Sequence, residues 1–311
     1  MKTPSKCIAR TIGFILLLCS FTVVAQEKLK RPRIRGIGRV TTFVRNHDAA
    51  MDFYSKQLNY HSSSQIPCAR SPHSCFGNID QILDVVSPNS PAEGRFLGEI
   101  DFRTPDVVQM HRYLESQSIK VSDVVKFKRN TAHYEMSYFS AEDPEGHPIG
   151  FVEFEGCVVC QGSDEIEWPI IHAGFVVQDR AAEDRFYKDI LGFHVYWHGG
   201  MKEGEDNWVD MQVPDGTDWI EYMLKVPADA SHKTLGVMNH IALGVPDIHA
   251  AREQLIKNGW TGTEQPKIGR GGKWQLNLYD PDDTRIELME FTPVQKPCCS
   301  EYTGPHPGPN R

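Results

Sequence analysis

The feature that most constrains this chain is that it repeats itself. The segment GRVTTFVRNHDAAMDFYSKQLNY (38–60) aligns without a gap to IHAGFVVQDRAAEDRFYKDILGF (171–193). Each reads as a strand, then an Asn or Asp, then a helix that carries a Phe-Tyr pair and closes on LNY or LGF. Asn46 and Asp179 are the expected helix caps, because a short polar side chain there accepts from the first unpaired amides. Gly192 suits the left-handed residue that follows a helix. A second pair, GEIDFRTPDVVQMHRYLESQSI (98–119) and NHIALGVPDIHAAREQLIKNGW (239–260), gives a strand, a Pro-Asp step and an amphipathic helix. Asp106 and Asp247 are the caps there. Both are followed by strands that end alike, EDPEGHPIGFVEFE (142–155) and YDPDDTRIELMEF (279–291), whose Asp-Pro steps read as hairpin turns.

The expectation is an α+β fold of four βαβββ modules starting near Ile37, Phe96, Ile170 and Val237. Modules one and two make an N-terminal half, 35–155; modules three and four make a C-terminal half, 169–293. Residues 156–168 link the halves, and the Pro- and Gly-rich tail, 294–311, is expected to be flexible. This architecture, with the pattern NHIALGVPD … DPDDTRIELMEF, resembles the vicinal oxygen chelate superfamily. That superfamily includes glyoxalase I, extradiol dioxygenases, some epimerases and antibiotic-resistance proteins. The resemblance covers residues 35–292. It implies that each half curls an open antiparallel sheet into a cup, with helices outside and the metal inside.

Side chains alternate across a strand. In IIHAGFVV, Ile171, Ala173, Phe175 and Val177 share the face that packs on helices, which points His172 into the cup. In NHIALGV, Ile241, Leu243 and Val245 go one way and His240 goes the other. Glu287 in RIELMEF and Glu221 in DWIEYMLK stand in the same relation to their apolar neighbours. A carboxylate placed mid-strand among apolar residues is costly unless it is paired or bound to metal. Taken singly, a buried His is commonly just hydrogen bonded and a strand Glu is commonly solvated. Together the four fall at matching places in two repeats, in the order His, Glu, His, Glu. That order resembles the ligand set of bacterial-type glyoxalase I. By resemblance, His172, Glu221, His240 and Glu287 are metal ligands, and Glu287 or Glu221 is also the catalytic base. Two imidazoles and two carboxylates suit Ni, Co, Zn, Mn or Fe(II), and affinity alone does not choose among them.

The first half supplies an internal control. The alignments pair His172 with Arg39, His240 with Glu99 and Glu287 with Gly150; Glu221 pairs with Asp84, without a firm anchor. An Arg at one ligand position and a Gly at another do not make this metal site, so the first half is expected to keep the fold and lack the metal. Two other features are read both ways. His198 in YWHGG either reaches the cup or lies on a surface loop. The loop GRGGKW (269–274) either clamps an anionic substrate through Arg270 and Lys273 or is a plain hairpin turn. It lacks phosphate-loop spacing.

The ends set the compartment. Lys2, Lys6 and Arg10 precede the apolar run TIGFILLLCSFTVV, and VVA before Gln26 fits a small-residue cleavage site, so residues 1–25 read as a signal peptide. A membrane anchor is the competing reading, although a span needs about 20 apolar residues. Lipidation at Cys19 would need a small residue where Leu18 stands. Removing residues 1–25 takes away three positive charges and no negative ones, carrying the net charge from −8 to −11. Such a charge argues against nucleic acid as a partner, and no other run is apolar enough to anchor the mature chain in a membrane. Six cysteines remain: Cys68, Cys75, Cys157, Cys160, Cys298 and Cys299. An even number in an exported chain, periplasmic or secreted, suggests disulfides, with linker tied to tail as one option. The CVVC at 157–160 also admits redox and half-zinc-site readings.

Three functions follow from the resemblance. The leading expectation is a metal-dependent lyase or isomerase of the glyoxalase type, acting through a metal-stabilised enediolate on a small molecule with vicinal oxygens. Export argues for an α-hydroxycarbonyl, sugar-derived or aromatic substrate rather than a glutathione adduct. The second is an Fe(II) extradiol ring-cleavage dioxygenase using His172, His240 and Glu287. Those enzymes place a Tyr four residues before the Pro of the last turn, where this chain has Asn277. The third is a non-catalytic small-molecule binding or resistance protein. A homodimer is possible but not required, because modules three and four can complete a cup within one chain.

Overall fold

The computed structural model describes residues 29–60, 73–77, 80–87, 96–129, 134–155 and 168–309. The expected signal peptide, Cys68 and the CVVC of the linker lie outside these residues.

The first half runs β1 (Gly36–Phe43), α1 (His47–Met51), β2 (His73–Gly77), β3 (Ile82–Val86), β4 (Leu97–Arg103), α2 (Val107–Ser116), β5 (Val125–Arg129), β6 (Tyr134–Glu142) and β7 (Pro148–Glu155). The second runs β8 (Ile170–Val176), α3 (Arg180–Asp184), β9 (His194–Gly199), β10 (Trp208–Gln212), β11 (Trp219–Met223), α4 (His232–Met238), β12 (His240–Val245), α5 (Ile248–Lys257), β13 (Lys267–Ile268), β14 (Trp274–Tyr279) and β15 (Arg285–Glu290). Both α1 and α3 continue as a π-helical turn, Asp52–Gln57 and Arg185–Ile190. That wider turn buries both rings of each Phe-Tyr pair, Phe53 with Tyr54 and Phe186 with Tyr187.

All four expected caps form. Asn46 accepts from Ala49 N at 3.1 Å, Asp106 from Gln109 N at 2.8 Å, Asp179 from Ala182 N at 3.0 Å and Asp247 from Ala250 N at 2.9 Å. Gly192 has φ +78°, and Asn59, its counterpart, takes φ +59°. Asn is the residue that tolerates this conformation best after Gly.

Each half builds one sheet. The orders are β2-β3-β1-β4-β7-β6-β5 and β9-β10-β11-β8-β12-β15-β14-β13. Apart from the extra edge strand β9, the wiring is the same. The sheets are mixed rather than purely antiparallel, which corrects the sequence expectation. The pairs β1·β3, β4·β7, β8·β11 and β12·β15 are parallel. Alternating apolar residues fix which face of a strand is buried but not the direction of its neighbour.

One large apolar core lies between the sheets and takes residues from both halves. Phe102 of β4 packs edge-on against Phe193 of the second half at 5.2 Å between centroids. The joint is pseudo-symmetric. Tyr54 donates to Asp280 (2.9 Å) and Tyr187 to Asp143 (3.3 Å), each reaching the Asp-Pro turn of the other half. Asp282 accepts from Arg45 N, and Glu145 accepts from Gln178 N. Asp218 accepts from Ile37 N, and Gln81 accepts from Ile170 N. These acceptors satisfy backbone amides at the joint between the halves.

Candidate metal centre

The strand pattern delivers the expected side chains to one place. Ile241, Leu243, Val245, Ile286, Leu288, Ile220 and Tyr222 all enter the inter-sheet core, so His240, Glu287 and Glu221 face the cup. Ile171 departs from expectation. A β-bulge lies opposite Ala242/Leu243, where His172 pairs with Ala242 and Ile170, not Ile171, pairs with Leu243. The extra residue shifts Ile171 into the apolar lining of the cup with Tyr196, Trp219 and Phe291, and leaves Ile170 on the core side.

His172 and His240 face each other with their Nε2 atoms 3.0 Å apart. Glu221 Oε2 lies 3.0 Å from His240 Nε2 and 3.8 Å from His172 Nε2. Glu287 Oε2 lies 3.7 and 3.9 Å from the same two nitrogens. Donors about 2.1 Å from one ion stand about 3.0 Å apart at right angles and about 4.2 Å apart when opposed. All five separations fall in that range, so the donor set fits a single divalent ion. His172, His240 and Glu287 form the tightest trio, with ligand atoms all within 4.8 Å. Glu221 completes the group from the more open side.

The protonation states suit the same role. Burial holds His172 well below the usual histidine range and pushes His240 down to about 3, so both rings are neutral. His240 Nδ1 donates to the Met238 carbonyl at 3.0 Å, which leaves the Nε2 lone pair facing the cluster. Burial raises Glu287, the response of a carboxylate without a full countercharge, which a divalent ion supplies. Gly174 makes the site possible. A β-carbon there would come within 2.0 Å of the His240 ring, which crosses β8 at that point.

Above the cluster the cup holds a cavity of about 700 Å³. The His172 ring stacks on Trp219 at 4.6 Å. Lys273, in the loop that begins β14, is 2 % exposed and lines this cavity. Its ammonium lies 4.8 Å from the Trp219 ring, 5.2 Å from Tyr302 and 5.4 Å from Tyr196. Burial lowers it to about 7, against the pull of Asp210 and Glu287. Asp210, the cross-strand partner of Glu221, also lines the cavity, and burial raises it well above the carboxylate range.

The GRGGKW loop is a turn whose two cations do different things. Arg270 donates to the Gly200 carbonyl at 3.1 Å and lies beside Cys299, while Lys273 points inward. His198 stays on the rim, 2.7 Å from Asp206. The tail, expected to be flexible, is laid against the sheet over 294–309. Cys298 N donates to Arg270 O, Thr303 N donates to Tyr196 O, and Tyr302 donates to Gly271 O at 2.8 Å. Cys298 and Cys299 are joined to each other. Tail and linker are therefore not tied through them, because each thiol of the tail is consumed by its neighbour. Cys75 is also disulfide-bonded, with a partner outside the described residues. No periodicity or motif pointed Tyr302 or Asp210 into the cup, which both line. Lys273 was signalled, with Arg270, as one of two cations of a loop that either clamps an anion or simply turns, and its burial was not.

In the first half, the strand registers run as they do in the second. Arg39 pairs with Ile82 as His172 pairs with Trp219, which places Asp84 at the position of Glu221. Asp101 pairs with Gly150 as Ala242 pairs with Glu287, which places Glu99 opposite His240 in the repeat. Arg39 fills the centre, 2.7 Å from Glu99 and 2.5 Å from Asp101. Among the described residues, a third titratable cluster joins Asp143, His147 and Glu183 at the joint between halves. Asp143 is already used there by two backbone amides, His147 and Tyr187. Asp280 repeats the two amide bonds and the Tyr bond in the other half.

Comparison with known proteins matches residues 170–288 to the glyoxalase/bleomycin resistance protein/dioxygenase superfamily. The lactoylglutathione lyase of Haemophilus influenzae is 28% identical over 123 residues, which is 39% of this chain and 91% of that protein. Among solved structures, a mutant of homoprotocatechuate 2,3-dioxygenase from Brevibacterium fuscum has a TM-score of 0.61 at 18% identity, covering 87% of this chain and 74% of that one. The 2,3-dioxygenase LapB from Pseudomonas sp. KL28 has a TM-score of 0.62 at 14% identity, covering 91% and 96%. Both structural likenesses are likenesses of fold.

Proposed function

As a member of the glyoxalase/bleomycin resistance protein/dioxygenase superfamily, the chain has enzymes among its relatives, and we propose that it is itself a metal-dependent lyase or isomerase of the glyoxalase type. The observation that carries this reading is the convergence of His172, His240, Glu287 and Glu221 on one point at the floor of the second cup. A divalent ion held there supplies Lewis-acid polarisation of two adjacent substrate oxygens. Glu221 stands on the open side of the cluster, 13 % exposed against 4 % for Glu287, and is the carboxylate placed to take and return a proton next to the substrate carbonyl. Glu287 is the deeper alternative. Trp219 lines the cavity and belongs with Tyr196 and Phe291 to one apolar cluster, which would keep water from that side of a bound substrate.

The second reading is ring cleavage by a dioxygenase. It is favoured by the tightness of the His172, His240 and Glu287 trio, a two-His, one-carboxylate set. Asn277, beside Glu287 on the neighbouring strand, occupies the position where those enzymes are expected to carry a Tyr. A binding module without chemistry is the third reading, and it predicts a metal-free protein.

One experiment separates the three. The purified chain, never exposed to affinity-tag metals, is assayed for metal by plasma mass spectrometry. It is also assayed for α-proton exchange on an α-hydroxyketone and for ring opening of a catechol. About one nickel, cobalt or zinc per chain with proton exchange upholds the lyase or isomerase. Iron with ring opening upholds the dioxygenase. No metal, even after soaking, sinks both. Export is a separate proposal, resting on the leader-like residues 1–25; an intact mass of the secreted chain that begins at Gln26 upholds it.

A further inference from the structure

The cup of the second half carries a charge opposite to that of the protein. The chain has a net charge of −8. Yet Lys267, Arg270, Lys273, Arg285 and Lys296 line the cavity against only Asp210, Glu221 and Glu287. On the metal reading above, Glu221 and Glu287 are neutralised by the ion, which leaves one carboxylate facing five cations. The cup of the first half is the reverse. Asp84, Glu99, Glu142 and Asp143 line it against Arg39 and Lys120.

Among the five cations Lys273 is singular. It is 2 % exposed, yet no carboxylate lies within 4 Å of its ammonium among the described residues. An ammonium has three donors. One reaches Tyr196 Oη at 3.3 Å, and the ring faces of Trp219, Tyr302 and Tyr196 surround it. Aromatic faces stabilise a cation partially, but a buried ammonium with two donors unused is costly. The rings also fix it in one place, over the Trp219 ring on which His172 stacks. Arg270 does not compete for the role, because it is spent holding Gly200 and the tail.

We propose that Lys273 seats an anionic group of the substrate, so that this site takes small molecules combining two vicinal oxygens with a carboxylate or phosphate. This rests on the metal-centre reading for the vicinal oxygens, but not for the anion. Lys273 is a specificity residue here: it touches the charged end of the substrate and takes no part in proton transfer.

The test compares ligands that differ only in charge. Dihydroxyacetone phosphate is set against dihydroxyacetone, and 3,4-dihydroxybenzoate against catechol, by calorimetric titration of the intact protein and of Lys273→Met, with metal content measured on the same samples. A hydrogen-bonded charge contact gives the charged member of a pair about tenfold tighter binding or more. That preference is expected in the wild type and is expected to vanish in Lys273→Met, with the neutral members and the metal content unmoved. Lys273→Arg is expected to retain part of it. Equal affinities in the wild type for both pairs, or a preference intact in Lys273→Met, overturn the proposal. Protein without metal that keeps the preference sinks the metal centre and upholds Lys273. Protein with metal and no preference does the opposite. If the variants do not fold, the wild-type pairs decide alone.

Discussion

At one register position the second half has His240 and the first has Glu99; at another it has His172 and the first has Arg39. The wiring is the same and the chemistry is not. In the second cup, two neutral imidazoles and two carboxylates converge, and on the reading proposed above a divalent cation from outside completes the set. In the first cup the chain supplies its own cation. The Arg39 guanidinium lies among Glu99, Asp101 and Asp84 and over the Tyr138 ring at 5.2 Å. Gly150 stands where the second half has Glu287, and a β-carbon there would meet Asp101 Oδ1 at 2.2 Å. On the proposed metal reading, the comparison teaches that an internal ion pair and an external metal solve the same problem, polar groups on the concave face of a curled sheet.

The sharpest way to break this contrast is to remove a ligand on each side. His240→Ala is expected to abolish bound metal, as read by plasma mass spectrometry, while Glu99→Ala leaves the metal content of the protein unchanged. Metal retained in His240→Ala would remove the ligand assignment. The next largest effect is expected in the other cup. Arg39→Met leaves buried carboxylates without their countercharge, and such a change costs about 3–5 kcal/mol. Urea unfolding measures it, and a loss under 1 kcal/mol, roughly that of a surface pair, would show that Arg39 is not the internal cation. Smaller again is Gly174→Ala. Its β-carbon displaces the His240 ring and is expected to weaken metal affinity about tenfold, as second-sphere changes do. Thr41→Gly, the counterpart change in the first half, is expected to leave metal affinity alone.

The smallest effect is a slope. Burial pushes Asp101 up to about 7 despite Arg39, from 3.8 in the unfolded chain. The folded protein therefore binds more protons than the unfolded one between those values. The stability that Asp101 contributes is full below 3.8 and is lost as pH rises through about 7. Asp101→Asn is expected to flatten the pH dependence of unfolding over that window and leave metal content unchanged. An unchanged slope would mean that Asp101 is held ionised by Arg39.

Much of this was legible in residues alone. The caps Asn46, Asp106, Asp179 and Asp247 follow from local hydrogen-bond chemistry. The facing of His172, Glu221, His240 and Glu287 follows from the two-residue period of a strand. Both act over a few residues, so neither depends on the rest of the molecule. Ile171 shows where that reasoning stops: a bulge is set by the partner strand, and one inserted residue moved the side chain to the opposite face. Parallel pairing, the seating of the tail by Tyr302 and the pairing of Cys298 with Cys299 escaped for the same reason.

The sequence by itself determined the elements, their faces and the four residues that meet at the centre, because periodicity and capping are local. Only the tertiary structure decided that Lys273 turns inward under three rings drawn from two strands and the tail, and that Arg39 closes the first cup on itself. Both depend on contacts between residues far apart in the chain, and burial then sets the charge those groups carry.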